Sequence, residues 1–599
     1  MTDTQPTTAA RPAIPLPATA ARVIAGAGGL ITAFSAFLAW TYSSTFPDDL
    51  TYNGSPAGLQ WVAFVAGLLA LLSVLSGFRT PGLRWLAPAD PDGATLLFSL
   101  GALGTTWFTA IAIASELGGL ANLAPGAFVA CIGSLLGLIG ALGLPRAGTI
   151  ETGEQGSGGA ALSLILIRVY RSITRYLGTA PTAKPVTQRP WPVEYLLVIV
   201  VAAVGLGVFT YGIDTSSGEL FIGFLITAAF AGAALLRSGL LESISQITGR
   251  HRAFAAFCAF IAAAIFPFTQ SNDANATIGV NILIFGATAL GLNVVVGLAG
   301  LLDLGYVAFL GVGAYTAALV SGAATSVLHV TFPFWAAAIT GAAVSAIFGV
   351  ILGAPTLRVR GDYLAIVTLG FGEIFRIVVG NLDGISGPSL TNGPNGIVNI
   401  PDLTIFGFNL GEPHTFGSIT LGRFANYFEL MLLFTVLIVV IFSRSANSRI
   451  GRAWIAIRED ETAATAMGIN TFRFKLLAFA LGATLAGLAG TVMAHVNFSV
   501  VPDPFVFAGS VPPNSTFLLA AVVIGGMGTV TGPLIGASLF YLLQDKLQFL
   551  QSYQLLLFGI ALILFMRFRP EGIIASKRRQ LEFHEADDQP AAQLSTAGA

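Results

Sequence analysis

The sequence predicts an all-α fold, a polytopic transmembrane helical bundle of about 16 spans, some of them re-entrant. Three observations carry that expectation. Of the 599 residues, 54% are hydrophobic and only 10% charged. Apolar runs recur at close to the ~20 residues that a bilayer core of roughly 30 Å demands of a helix. The 70 glycines suit such a bundle, because small residues let membrane helices approach closely. Helix is the default for each run, since unpaired backbone groups are too costly in lipid.

Residues 1–22 are polar and carry Pro6, Pro12, Pro15 and Pro17, which reads as a disordered tail. The run after them is long enough to span, so it is expected to be an uncleaved first helix and not a signal peptide. Spans are expected near 23–42, 59–78, 94–115, 121–143, 193–212, 218–236 and 253–269. A second group follows near 277–298, 303–322, 333–354, 363–381, 427–443, 474–495, 515–528, 529–545 and 551–566. The first two spans after 510 are short and broken by "GGMGTVTGP", so one or both are expected to be re-entrant.

Lys and Arg test this layout, because they concentrate in cytoplasmic loops. With the N-terminus inside and the spans alternating, 26 of the 29 basic residues fall on the cytoplasmic side. Only Arg376, Arg423 and Lys546 fall elsewhere. Both termini are therefore expected to be cytoplasmic. The organisation that follows is a tail 1–22, a membrane region 23–270 with a cytoplasmic loop 144–192, a second membrane region 271–575, and a disordered cytoplasmic tail 576–599. In the loop 144–192, Arg168, Arg171 and Arg175 share one helix face, suited either to the inner leaflet or to a plain connector. The segment 382–426 contains "SGPSLTNGPNGI" and one basic residue, and is expected outside as an ordered, non-helical loop.

Several chemistries have no support in the chain. There is no GxxxxGK[ST], nor even a GK dipeptide, to cradle nucleotide phosphates. The five histidines form no HxxxH or HExxH, so no metal site is expected. Cys131 and Cys258 both lie in apolar stretches and imply no disulfide framework. No basic patch with interleaved aromatics suggests nucleic acid. The chain reads as a non-enzyme whose energy comes from a partner or an ion gradient.

One segment contradicts the greasy background. "SRIGRAWIAIREDETAATAMGINTFRFK", residues 448–475, holds eight charges in 28 residues, within a cytoplasmic loop 444–473. Ile450, Trp454, Ile457, Ala464 and Met467 recur at helical spacing, with Ala453 between them, so a single amphipathic helix is expected. Gly468 is placed to end it in a left-handed conformation. One apolar face and the acids Glu459, Asp460 and Glu461 suit a groove on another protein. The alternative is a helix resting on lipid, against which three consecutive acids argue at an anionic surface.

"SRIGRAWIAIREDETAATAMGI" resembles the cytoplasmic coupling loop of permease subunits in bacterial ABC importers of branched-chain amino acids, the LivM-like type. "GLNVVVGLAGLLDLGYVAFLGVGAYTAAL" at 291–319, "GDYLAIVTLGFGEIFRIVVGN" at 361–381, "AAVVIGGMGTVTGPLIGA" at 520–537 and the closing "RPEGI" at 569–573 resemble the same family in order and spacing. The resemblance covers about 277–575 and leaves 1–270 without a function. It implies a permease domain at 271–575 that works with a second permease subunit, two cytoplasmic ATPase subunits and an extracytoplasmic solute-binding protein. It further implies no cofactor in this chain, ATP being bound by the partners, and a place in the bacterial cytoplasmic membrane. Trp454, Arg458, Glu459, Asp460, Glu461, Ala463, Ala464 and Gly468 would make the ATPase-coupling segment. Thr462 stands where the wider importer pattern has Glu, and Ala478, Ala480 and Leu481 replace its later Ile-x-Leu-Pro.

Polar residues at bilayer depth are costly and mark candidate pathway or gate positions: Asn293, Asp303, Tyr306, Tyr315, Glu373 and Arg376. Glu373 and Arg376 are three apart, which permits an ion pair that either lines a pathway for a zwitterion or only neutralises itself. Tyr306 and Tyr315 suit substrate contact and ordinary packing alike, and Asp303 suits a helix cap. Gly528, Gly532 and Gly536 form a series suited to helix packing, between subunits or within the chain. The expected activity is import of branched-chain amino acids or related small amino acids and amides, with ATPase closure coupled to alternating access. Two alternatives stay open: an ion-coupled secondary transporter, which predicts inverted repeats with paired broken helices, and a membrane scaffold.

Overall fold

A computed structural model describes residues 14–42, 58–78, 80, 83–144, 190–215, 217–270, 272–356, 363–385, 387–405, 407–416, 419–509, 513–548, 553–568 and 572–574. The expected basic helix at Arg168, Arg171 and Arg175, most of the tail 1–22, all of 576–599 and the first three residues of "RPEGI" lie outside them. The chain divides into two compact units between Phe266 and Pro267.

The first unit holds α1 (Ala18–Ser35), α2 (Gly58–Gly77), α3 (Pro91–Glu116), α4 (Pro125–Leu142), α5 (Trp191–Asp214), α6 (Gly218–Arg237), α7 (Leu240–Arg250) and α8 (Arg252–Ile265). Small residues set its closest crossing. A side chain on Gly28 would collide with the backbone of Gly137, and one on Gly140 with the backbone of Ala25, so α1 and α4 touch main chain to main chain. Charges gather at helix ends. Asp90 caps α3 through Gly93 N (2.9 Å) and accepts from Arg237 Nε at 3.1 Å. Glu194, at the start of α5, binds Arg250 Nη1 at 2.7 Å and faces His251 Nε2 at 2.8 Å. Each carboxylate is buried and partnered, the condition under which a charge is tolerated away from water.

The second unit holds α9 (Asp273–Asn293), α10 (Val307–Val320), α11 (Phe334–Thr356), α12 (Tyr363–Asn381), α13 (Arg423–Asn447), α14 (Arg449–Glu459), α15 (Glu461–Ala466), α16 (Thr471–Val496), α17 (Ser515–Gly525), α18 (Thr531–Lys546) and α19 (Gln554–Phe568). α9 continues into one turn of π-helix, Val294–Leu298. Glycines again permit the tightest crossing, where α16 meets α10 and α11 at Gly313, Gly341 and Gly487.

Every one of the sixteen expected spans contains a helix; among the described residues 12 of them, α8 being counted with its continuation to Thr269, are long and apolar enough to cross a membrane. The four shorter ones, over their described residues, are α10 (14 residues), α17 (11), α18 (16) and α19 (15). At 1.5 Å per residue, α17 covers about half of a bilayer core. The expected starts at 303 and ends at 528 were therefore too generous. Residues 299–306 run without helix into α10, and Gly526 (φ +124°) ends α17 in a conformation closed to other residues. The first turns of α10 and α17 meet, with Val307 N donating to Ser515 Oγ at 3.2 Å.

The segment 382–426 is ordered and largely non-helical. It carries strands β1 (Ile397–Val398), β2 (Thr404–Ile405), β3 (Phe408–Asn409), β4 (His414–Phe416) and β5 (Ile419–Leu421), and β6 (Ser499–Val500) follows α16. β1 pairs antiparallel with β6, with Ile397 opposite Val500, while β2–β3 and β4–β5 are local hairpins. Arg423 closes the loop onto the helices. It donates to Asp402 Oδ1 (3.0 Å) and to the carbonyls of Val496 (3.1 Å) and His495 (3.0 Å), and it stacks 3.3 Å from the ring centroid of Phe498.

Candidate functional site

The charged segment folds as two helices, not one. Ser448 starts α14, its Oγ accepting from Ile450 N (3.1 Å) and Gly451 N (3.2 Å). Asp460 leaves the helix at φ −154° and ψ 108°, and its carboxylate caps α15 through Thr462 N (2.8 Å) and Ala463 N (2.9 Å). Asp is among the best N-caps because its oxygen satisfies amides the helix leaves free. The break resets the helical phase. Ala453, Trp454, Ile457 and Ala464 remain buried, while Ile450 is partly exposed and Met467 stands 83% exposed instead of completing the apolar stripe. Gly468 ends α15 at φ +85°.

The three acids do not form a free patch. Arg458 donates to Glu459 Oε1 from Nε (3.1 Å) and Nη2 (2.6 Å), Asp460 is the cap, and Glu461 pairs with Lys475 Nζ at 2.7 Å. What remains outward on α15 is mixed, Glu461, Thr462, Ala463, Thr465 and Ala466, followed by the exposed Met467. Trp454 holds the pair of helices to the bundle, its Nε1 donating to Phe474 O at 2.7 Å.

Arg458 also turns inward. Its Nη1 donates to Gly297 O at 2.8 Å, on the π-helical turn that ends α9. One turn earlier Asn293, wholly buried, donates from Nδ2 to Thr529 O (2.7 Å) and accepts from Gly528 N (2.8 Å). Gly528 thus lies at φ +74° in the break between α17 and α18, a correction to its expected place in a helical glycine series. Gly532 and Gly536 do pack helices, against the backbone of α17 at Gly525, Gly526 and Ala521, within the chain. The last residue of the closing motif and the one after it seal the same break, Ile573 N donating to Ile524 O (2.7 Å) and Ile574 N to Gly525 O (3.0 Å).

The other polar candidates take separate places. Asp303 is buried and folds the turn before α10 by accepting from Gly305 N at 3.0 Å. Tyr306 donates to Gly482 O at 2.6 Å, locking α10 to α16. Tyr315 sits in an aromatic cluster with Phe375 and Phe505, centroids 6.2 and 6.1 Å away. Glu373 and Arg376 do form an ion pair, Nε to Oε1 at 3.0 Å, on the exposed side of α12. Sequence reasoning missed Gly297, whose side-chain position is filled by Asn293 and Gly528, and Glu429 of α13, whose Oε1 is buried without a hydrogen-bond partner. The signal for Gly297 was a glycine four residues after a membrane asparagine.

Residues 275–566 match the family described as branched-chain amino acid transport system / permease component. The chain is 37% identical over 357 residues to the high-affinity branched-chain amino acid transport system permease protein LivM of Salmonella typhimurium, covering 57% of this chain and 79% of that relative. The chain belongs to this family. LivM of Escherichia coli matches to the same extent, 37% over 357 residues. The permease protein LivH of Salmonella typhimurium is 32% identical over 148 residues, covering 25% of this chain and 45% of LivH. No solved structure gives a significant match. The capped helix pair, the π-helical turn and the interrupted α17–α18 hairpin all lie within the part that matches the permease family, whereas the first unit lies outside the family match.

Proposed function

We propose that this permease is one membrane half of an ATP-driven importer for branched-chain amino acids or related small amino acids and amides. The observation that carries the reading is the shape of the charged segment. Two short capped helices stand at the end of the bundle, fixed from below by Trp454 and Lys475, with a ridge of exposed, mixed polar and apolar side chains outward. Such a ridge suits the groove of a soluble partner. In this reading two cytoplasmic ATPase subunits bind the ATP and grip α15. Their closure drives alternating access, and the chain contributes movement without covalent chemistry. Both termini are cytoplasmic in this arrangement, and an extracytoplasmic solute-binding protein meets the side formed by 382–426.

A second permease subunit completes the pathway; the similarity to LivH as well as LivM supports a pair of related chains. The exposed face of α12 is where we place it. Ile366, Ile374, Ile377 and Val378 lie open there beside the Glu373–Arg376 pair. A charge pair facing lipid is costly, whereas a protein- or water-lined interface accommodates it and offers opposite charges to a zwitterion.

The test is co-purification of the tagged chain from native membranes, with Met467→Glu and Ala463→Arg as variants. Both side chains are exposed, so the melting temperature stays at the wild-type value while stoichiometric ATPase subunits are lost. Glu461→Lys is a poorer probe, because it sets two ammonium groups together at Lys475 and disturbs the helix pair itself. A wild-type chain that brings down no nucleotide-binding protein sinks the reading, and uptake that persists without ATPases transfers support to ion-coupled transport.

A further inference from the structure

We infer that Arg458 is a strut that ties the coupling helices to the breaks in two membrane helices, acting inward through Gly297, Asn293 and the 526–530 turn and not as a contact for the ATPase. The inference rests on the ATP-driven reading above.

The connection is continuous and made of hydrogen bonds to backbone. Arg458 Nη1 reaches Gly297 O (2.8 Å), and the π-helical turn carrying that carbonyl begins beside Asn293. Asn293 then binds two consecutive residues inside the α17–α18 break, at Gly528 N and Thr529 O. Thr529 Oγ1 in turn donates to Gly526 O (2.8 Å) and accepts from Gly532 N (3.1 Å), linking the end of α17 to the start of α18. Two glycines make room for the strut. A side chain on Gly297 would overlap Asn293 and Gly528, and one on Gly300, which lies at φ +70°, would overlap the aliphatic stem of Arg458.

The joined elements are those able to change shape. A π-turn inside an α-helix carries one residue more than the regular ladder accommodates, and such turns concentrate at functional sites. The α17–α18 break frees backbone groups that the Asn293 amide satisfies. A displacement of α14 and α15 is therefore delivered to two interrupted helices by groups that hold their geometry, since a planar guanidinium spans Gly297 O and Glu459 at once. The experiment separates docking from transmission.

The complete complex is purified with wild-type, Arg458→Ala, Arg458→Lys and Asn293→Ala chains, then reconstituted for uptake and ATP hydrolysis. The expected result for Arg458→Ala is full retention of the ATPase subunits, continued ATP hydrolysis and at least a tenfold loss of uptake. Asn293→Ala gives the same separation, and the double variant is no worse than the more damaged single one, because the two act in series. Arg458→Lys, whose ammonium serves Gly297 O or Glu459 but not both, gives intermediate uptake. A second readout uses Met527→Cys in a chain whose Cys131 and Cys258 are alanine. Maleimide labelling there changes with ATP in the wild type and ceases to change in Arg458→Ala. Loss of the ATPases from Arg458→Ala overturns the inference, as does wild-type uptake in that variant. If the alanine variant does not accumulate, wild-type uptake by Arg458→Lys overturns it. A wild-type complex without ATPases is a failure of the importer reading instead.

Discussion

Leucine at Gly313 or Gly487 is expected to abolish stable folding of the permease unit, while leucine at Gly370 leaves it unchanged. All three glycines lie on membrane helices, so composition and propensity do not separate them. Space does. A Cβ on Gly313 would strike the backbone of Gly487, and a Cβ on Gly487 would strike Ser345 and approach Gly341 O at 3.0 Å, whereas Gly370 has nothing within 4 Å. Overfilling a packed core costs about 1–3 kcal/mol when side chains can shift. Backbone cannot shift without separating the helices, so the cost exceeds that range. The measurement is the thermal melt of the detergent-solubilised chain followed by size exclusion. A Gly313→Leu chain that melts with the wild type removes the claim that α10, α11 and α16 meet main chain to main chain.

Arg423→Ala is expected to produce the second large effect, release of the segment 382–422 from the helices. One guanidinium holds Asp402 and two carbonyls at the end of α16, and its face covers Phe498. Phe498 is held at φ +56°, a conformation unusual for an aromatic residue and costing about 1–3 kcal/mol. The stacking, the β1–β6 pairing that begins at the next residue and the bond from Ile400 N to Phe498 O (3.0 Å) keep it there. Breaking a largely buried ion pair by removing one partner costs about 3–5 kcal/mol. Arg423→Lys recovers only part, because an ammonium lacks the planar fork that meets three acceptors at once. Hydrogen exchange should show lost protection at Ile397, Val398 and Val500 in Arg423→Ala. Unchanged exchange there would show that the hairpins hold the loop without the arginine.

The two predictions also mark how far the sequence could be read. Arg423 was visible as one of three basic residues that violate the cytoplasmic pattern, which is what a charge recruited for structure looks like. Its four contacts were not visible, because they join positions from 402 to 498. The charged segment stood out through its contrast with the chain around it. Its break was legible in principle, since Asp460 followed by Glu461 and Thr462 is a helix-start signal. Hydrophobic periodicity at 450, 454, 457, 464 and 467 hid that break. Asn293 showed itself as a polar residue in a span, but its partners, Gly528 and Thr529, lie more than 230 residues along the chain.

The sequence by itself determined what depends on local composition: a helical membrane protein, the positions of its spans, the ordered non-helical loop, and membership of the branched-chain amino-acid permease family through motifs that are contiguous. Tertiary structure alone decided which spans hold only short helices, which glycines are crossings and which are turns, and where each charge finds its partner. The physical reason is range. An apolar run is selected by its own contact with lipid, whereas a helix break, a glycine crossing or a buried guanidinium persists only when residues distant in sequence satisfy it.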